Sequence, residues 1–579
     1  MKHWFSRRQS LFLCFLLTTF LLIGTGFTSA SKSGIDPKIK PGFSAIKAEN
    51  VSNYLHFLAS NYLEGRETAR KGLHIAGDYV ASLYQLWGVK PAGEIVNGKR
   101  SYFQYFPVVE YEYLDSSYIA ISEGKERKVK FSYGVDFYFG RGGEPVSQSL
   151  KAPVVFAGYG LVDKKANYDD LAGLDVKGKI VLILSGFPGE KNPKSPYYRK
   201  KKVDRRRRYM MMREKFKKLE EKGAVACFMV DTAEKGMSPF YRMVATNRPY
   251  IEGDYIQRPG HRMYIPNLKG RVERSMISLT VSERVANEIL SVKGVSIGEL
   301  KKKIDDTLSP NSFALPGVEA TINMEVKGEV KVTRNLLGMV EGSDPVLKNE
   351  AIVIGAHYDH LGTRDGYVWN GADDNGSGSV AVIELARAFA LNPVKPKRTI
   401  IFALWSGEEK GLLGSRYYTE HPTLIPIKKT ILNVNMDMIG RDVAPEKFPE
   451  YVKRNKKRYP FLAKMKPKDT KRLVNVSGTI HCPILKKIAE RANKNVGLIF
   501  SVNLSPRPSP GSDHYSFFEH KVPIIYFSSP GDTDYHQPTD TVDKIDFEKI
   551  AKVARLIYLI TWKVDSLPER LTFKEPAKK

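Results

Sequence analysis

The chain has 579 residues, 42% of them hydrophobic, with three cysteines and 91 Lys and Arg against 63 Asp and Glu, a formal charge of +28. At roughly 150 residues per domain this length holds about two to four units, each able to bury a core without covalent staples, so a disordered scaffold and a disulfide-built module are excluded. The charge leaves nucleic acid and anionic membrane to be tested against where the cations sit.

Lys2, Arg7 and Arg8 precede an apolar run over 11–27 that closes on the small residues Thr28, Ser29 and Ala30. That order is an export signal with Ala30 as the last residue before cleavage, which sends the body to the periplasm or the exterior. A spanning helix needs about 17 to 25 residues, so an uncleaved anchor is the alternative. The cleaved chain keeps only Cys227 and Cys482, and Cys227 sits among Val225, Ala226, Phe228 and Val230, the setting of a small buried hydrophobe.

Helical periodicity runs from 46 to 86, with Val51, Tyr54, Leu55, Leu58 and Tyr62 on one face and Ile75, Tyr79, Val80 and Leu83 on a second helix. Short apolar runs broken by glycine follow, at 154–158 and 179–184, and a basic helical stretch over 205–221 leads into a buried strand at 223–230. Near 332 the pattern changes: runs at 351–355, 399–405, 431–436 and 522–527 predict buried strands, with helices at 379–390 and 486–495 between them. The expected fold class is α/β, a mixed sheet sandwiched by helices with a β-rich unit inserted into it. The expected parts are a signal at 1–30, the first piece of the main unit at 31–120, the insertion at 121–332, the rest of the main unit at 333–565 and a tail at 566–579.

Acidic and histidine side chains stand just past these apolar runs. His357 follows the first, and Asp359 is placed to accept a hydrogen bond from its other ring nitrogen. Asp373 lies in the glycine-rich stretch 371–379 before a helix, where a tight turn delivers a bridging carboxylate. Glu408 and Glu409 close the third run, suited to one ligating and one proton-exchanging role, Asp437 is flanked by Met436 and Met438, and His536 falls in a loop after the last. A carboxylate buried among apolar residues needs a partner or a metal. Two histidines and three carboxylates suffice for a pair of divalent ions, which points to hydrolytic chemistry; zinc accepts such ligands, as do manganese and cobalt. The stretch 376–379 has the wrong spacing for a serine nucleophile elbow.

In this order the segments 357–359, 371–378, 408–415, 437–440 and 535–536 resemble those of the M28 family of co-catalytic zinc peptidases, mainly aminopeptidases. The likeness covers about 335–555; the opening helices with 63–68 resemble the family's start, and the insertion resembles a protease-associated domain. The resemblance implies one zinc on His357 and Asp437, a second on Glu409 and His536, Asp373 bridging them, and Glu408 as general base. It implies a peptide substrate whose α-amine meets Tyr535 or a residue of 512–514. Receptor-like members without turnover and glutamine-cyclising single-zinc transferases are the alternatives. The basic run at 202–208 lacks aromatics at stacking intervals, so no nucleic-acid partner is expected; a solvated helix face or peripheral contact with an anionic membrane surface fits it better, and the run at 453–458 reads as a lid or a long surface loop.

Overall fold

A computed structural model describes residues 34–124, 127–140, 145–198, 205–231, 261–266, 268, 276–364, 366–531 and 534–575. The expected export signal and residues 202–204 of the first basic run lie outside this range. Within it the chain folds as a mixed α/β protein around two sheets.

The larger sheet has four parallel strands at its centre, in the order Thr399–Trp405, Ala351–His357, Thr430–Met436 and Ile524–Ser528. All residues of the first three are buried, which is why their sequences read as continuous apolar runs rather than alternating ones. Alternation persists in what each side chain touches. Ile352, Ile354 and Ala356 join Ile400, Phe402 and Leu404 in the core beneath the helices Ala48–Leu58, Gly378–Leu391 and Phe547–Asp565. Ala351 and Val353 join Ile401, Ala403 and Trp405 on the opposite face, against Tyr418 and Phe517. With both faces covered, only the strand ends are left for polar chemistry.

Phe103–Tyr113 and Val326–Val340 pair antiparallel along one side of this sheet, in a register that brings Tyr113 opposite Val326. The chain between them builds the second sheet, whose strands run in order Arg127–Ser132, Tyr118–Glu123, Ser312–Met324, Gln148–Ala157, Ile180–Leu184, Ala226–Val230, Ile277–Val281 and Phe137–Phe139. A short strand of the same intervening segment, Arg262–Tyr264, returns to the larger sheet and pairs with Phe103–Tyr113. Cys227 and Cys482 are both buried and unlinked. Among the described residues no helix is long and apolar enough to cross a membrane.

Candidate metal centre

Four loops at the carboxyl ends of the central parallel strands supply the site. His357 is the last residue of its strand; Glu408 and Glu409 follow Trp405 by three and four positions; Asp437 follows Met436; His536 lies in the loop beyond Ser528. A fourth carboxylate comes from the turn before the Gly378–Leu391 helix, and it belongs to Asp374.

The expected bridging residue, Asp373, is corrected by this geometry. Its Oδ1 accepts the Gly440 amide at 2.7 Å, and its own backbone amide donates to Asp540. Asp374 faces the histidines instead: its Oδ1 lies 3.4 Å from His357 Nε2 and its Oδ2 lies 2.9 Å from His536 Nε2. Successive side chains in a turn point in different directions, and here the backbone torsions send the second of the two aspartates inward. Gly371 allows the turn: it holds a φ of +57°, and a Cβ there would stand 2.3 Å from the Asp374 carbonyl and 2.5 Å from the His360 ring.

Two sets of donors share Asp374. One is His357, Asp374 and Asp437; the other is His360, Asp374 and Glu409. In the first, His357 Nε2 is 3.5 Å from Asp437 Oδ1 and 3.9 Å from Glu408 Oε2. In the second, Glu409 Oε1 lies 2.9 Å from His536 Nε2 and 3.2 Å from His360 Nδ1. His360 is absent from the sequence expectation; its signal was its place three residues after His357, past a strand end where periodicity stops informing.

Asp359 takes a different role from the one expected. His357 Nδ1 meets the backbone carbonyl of Asp359 at 3.1 Å, while the Asp359 carboxylate stands 3.7 Å away. That carboxylate instead accepts the Glu408 amide at 3.1 Å and the Thr68 hydroxyl at 2.8 Å. Tyr535 stacks on His536 with ring centroids 3.6 Å apart. Ser512, Asp513 and His514 are buried behind the Asp437 strand, where Asn435 donates to Ser512 and His514 stacks on Tyr526.

The electrostatics are those of a cation site. Burial favours neutral carboxyls, yet His536 overrides it and holds Glu409 well below the usual carboxylate range, and Asp374 is held at about 2 by His357 and His536. His536 resists its own burial and rises to about 9 under Glu409 and Asp374. Glu408 goes the other way: burial, with Glu409 and Asp437 nearby, raises it well above the ordinary value against the pull of His357. Buried donor atoms without a hydrogen bond converge here, including His357 Nε2, His360 Nδ1, Asp374 Oδ2 and Asp437 Oδ1. Such atoms carry a desolvation cost that a bound divalent ion removes, and imidazole with carboxylate is a zinc donor set.

An α/β fold with imidazoles and carboxylates gathered at the ends of parallel strands is a scaffold able to hold divalent cations. Residues 335–561 match the sequence profile of Peptidase family M28. A protein of Caenorhabditis elegans called "Glutamate carboxypeptidase 2 homolog" is 24% identical over 456 residues, 69% of this chain and 52% of that protein. Leucine aminopeptidase 2 of Trichophyton equinum is 34% identical over 123 residues, 21% of this chain and 23% of the other. The chain thus spans about half or less of the curated relatives it matches. An aminopeptidase structure from Aneurinibacillus sp. strain AM-1 shares the fold, with a TM-score of 0.52 and 18% identity over 94% of this chain and 100% of that one.

Proposed function

We propose that this chain is a two-zinc aminopeptidase. The observation that carries the reading is the shared carboxylate: Asp374 stands between two donor sets, and among their buried atoms His357 Nε2, His360 Nδ1, Asp374 Oδ2 and Asp437 Oδ1 make no hydrogen bond. His357 and Asp437 would hold one ion, Glu409 and His536 the other, with Asp374 common to both and His360 beside the second. When bound, a metal pair lowers the pKa of water and polarises the scissile carbonyl. Glu408 lies within reach of His357 without sharing either donor set, and burial raises its pKa, which makes the ionised carboxylate a stronger base. It therefore takes the proton of the attacking water and later returns it to the leaving amine. Asp359 fixes the Glu408 backbone amide, and the exposed Tyr535 stacks on His536 at the edge of the site, where it can meet the substrate's α-amine.

The segment 118–324 reads as a protease-associated type of insertion, and the leading 30 residues as a removable export signal. Lys453, Arg454, Lys456, Lys457 and Arg458 are exposed, as a lid or surface segment between the Asp437 and His536 loops would be. The name of the C. elegans relative, which aligns with more of this chain than the leucine aminopeptidase 2 sequence does, favours a second reading as a carboxypeptidase. Metal analysis of the purified protein, followed by hydrolysis of amino-acid amides and of N-acetylated peptides with free carboxyl ends, separates the readings. About two zinc ions with cleavage of amides only is the expected result. Cleavage of blocked peptides only favours the carboxypeptidase, and no turnover with both sites filled means a binding protein.

A further inference from the structure

Three consecutive residues lie some 290 to 340 positions before the loops they touch, and each meets a different part of the metal centre. Arg66 is 1% exposed, and its guanidinium donates to four backbone carbonyls. Nε reaches Tyr358 at 2.9 Å, beside His357; Nη1 reaches Asn370 at 2.7 Å and also Leu58; Nη2 reaches Gly371 at 2.9 Å, three residues before Asp374. Arg66 also accepts the His360 amide on its own carbonyl at 3.0 Å. Thr68 donates to Asp359 Oδ2, whose other oxygen accepts the Glu408 amide. Glu67 Oε1 accepts Lys410 Nζ at 3.0 Å, directly after Glu409, and is itself held by the His261 amide at 2.8 Å.

The backbone here is shaped for that purpose. Glu64 and Arg66 hold φ values of +50° and +47°, a region that non-glycine residues keep only where their surroundings dictate it. Gly65 between them passes so close to the sheet's loops that a Cβ would stand 2.4 Å from the Gly362 carbonyl and 2.6 Å from that of Trp369. A segment threaded this tightly among the carriers of His357, His360, Asp374 and the glutamate pair fixes their mutual distances.

We infer that Arg66, Glu67 and Thr68 are positioning residues that set the spacing of the two donor sets, Thr68 acting through Asp359 on Glu408 and Glu67 acting through Lys410 on Glu409. The inference rests on the two-zinc reading. Removal of Glu67 frees an ammonium next to a ligand carboxylate, where it competes with the cation. Removal of the Thr68 hydroxyl frees the carboxylate that holds the general base. Neighbours of metal ligands commonly change metal affinity or activity by about 10- to 100-fold.

The test uses the full-length protein loaded with zinc and three variants: Thr68→Val, Glu67→Gln and Thr68→Ser. Transfer of zinc to dipicolinate is timed, kcat and KM are separated on an amino-acid amide, and the melting temperature of the metal-free protein is recorded. The first two variants are expected to release zinc about tenfold faster and to lose about tenfold in kcat with KM within about twofold, at an unchanged metal-free melting temperature. Thr68→Ser, which keeps the hydroxyl, is expected to match the parent protein. A lowered melting temperature with parental zinc release and kcat overturns the positioning role alone. A parent protein that takes up no zinc overturns the two-zinc reading and this inference together.

Discussion

The two sheets share a parallel core and differ at its carboxyl ends. In the second sheet Gln148–Ala157, Ile180–Leu184, Ala226–Val230 and Ile277–Val281 run parallel, as the central strands of the larger sheet do. Its buried carboxylates are spoken for. Asp170 accepts the Tyr159 and Leu161 amides at 2.9 and 3.1 Å and the Tyr168 hydroxyl at 3.1 Å, and Asp136 is gripped by Arg284 through bonds of 2.6 to 2.9 Å. In the larger sheet the strand ends bring together carboxylates and imidazoles among which His357 Nε2, His360 Nδ1, Asp374 Oδ2 and Asp437 Oδ1 have no such partner. The lesson is that burial of charge does not by itself mark a site; a satisfied carboxylate shapes a loop, and a convergent unsatisfied set asks for a cation.

The largest expected effect separates the two kinds of carboxylate by chemistry. Glu408→Gln is expected to lower kcat by about 10²- to 10⁴-fold while zinc content and the melting temperature stay at parental values. Steady-state kinetics beside metal analysis checks it, and a fully active variant would remove Glu408 from the mechanism. Next come the adjacent aspartates. Asp374→Asn is expected to reduce bound zinc from about two ions to less than one, whereas Asp373→Asn, which still offers Gly440 an acceptor oxygen, keeps its metal. Equal zinc loss in both would return the bridging role to an open question between them.

The smallest effect belongs to the second sheet. Burial raises the Asp170 carboxyl from 3.8 to about 6, against its hydrogen bonds from Leu161, Tyr168 and Tyr159. The folded chain then binds more protons than the unfolded chain between those values, so this group's contribution to stability falls as pH rises from 3.8 through 6. Asp170→Asn is expected to flatten that part of the pH dependence of thermal melting, with kcat unaltered at neutral pH. A change in kcat would mean that the second sheet reaches the metal centre after all.

Much of this was legible in the sequence because the central strands are buried on both faces. Their apolar runs announce where each strand ends, and His357, Glu408, Glu409 and Asp437 stand within four residues of those ends. What failed was direction within loops. Nothing in a Gly-Ala-Asp-Asp sequence says which carboxylate turns inward, since that depends on torsions set by Gly371 and by Asp540, whose carboxylate accepts the amides of both aspartates. His360 and the Asp359 contacts were hidden for the same reason. The reach of Arg66, Glu67 and Thr68 depends on packing between the opening helices and the sheet, and residues so far apart carry no periodic signal of it.

The pairing of Tyr113 with Val326 places the exit and return of the intervening segment at neighbouring positions of one antiparallel ladder, so the segment's length can vary without disturbing strand register. Arg262–Tyr264 comes back to pair with Val109, Glu110 and Tyr111 of the Phe103–Tyr113 strand. Proteolytic loss of the segment would therefore uncover the backbone of those three residues at the sheet edge, a template for strand addition between chains.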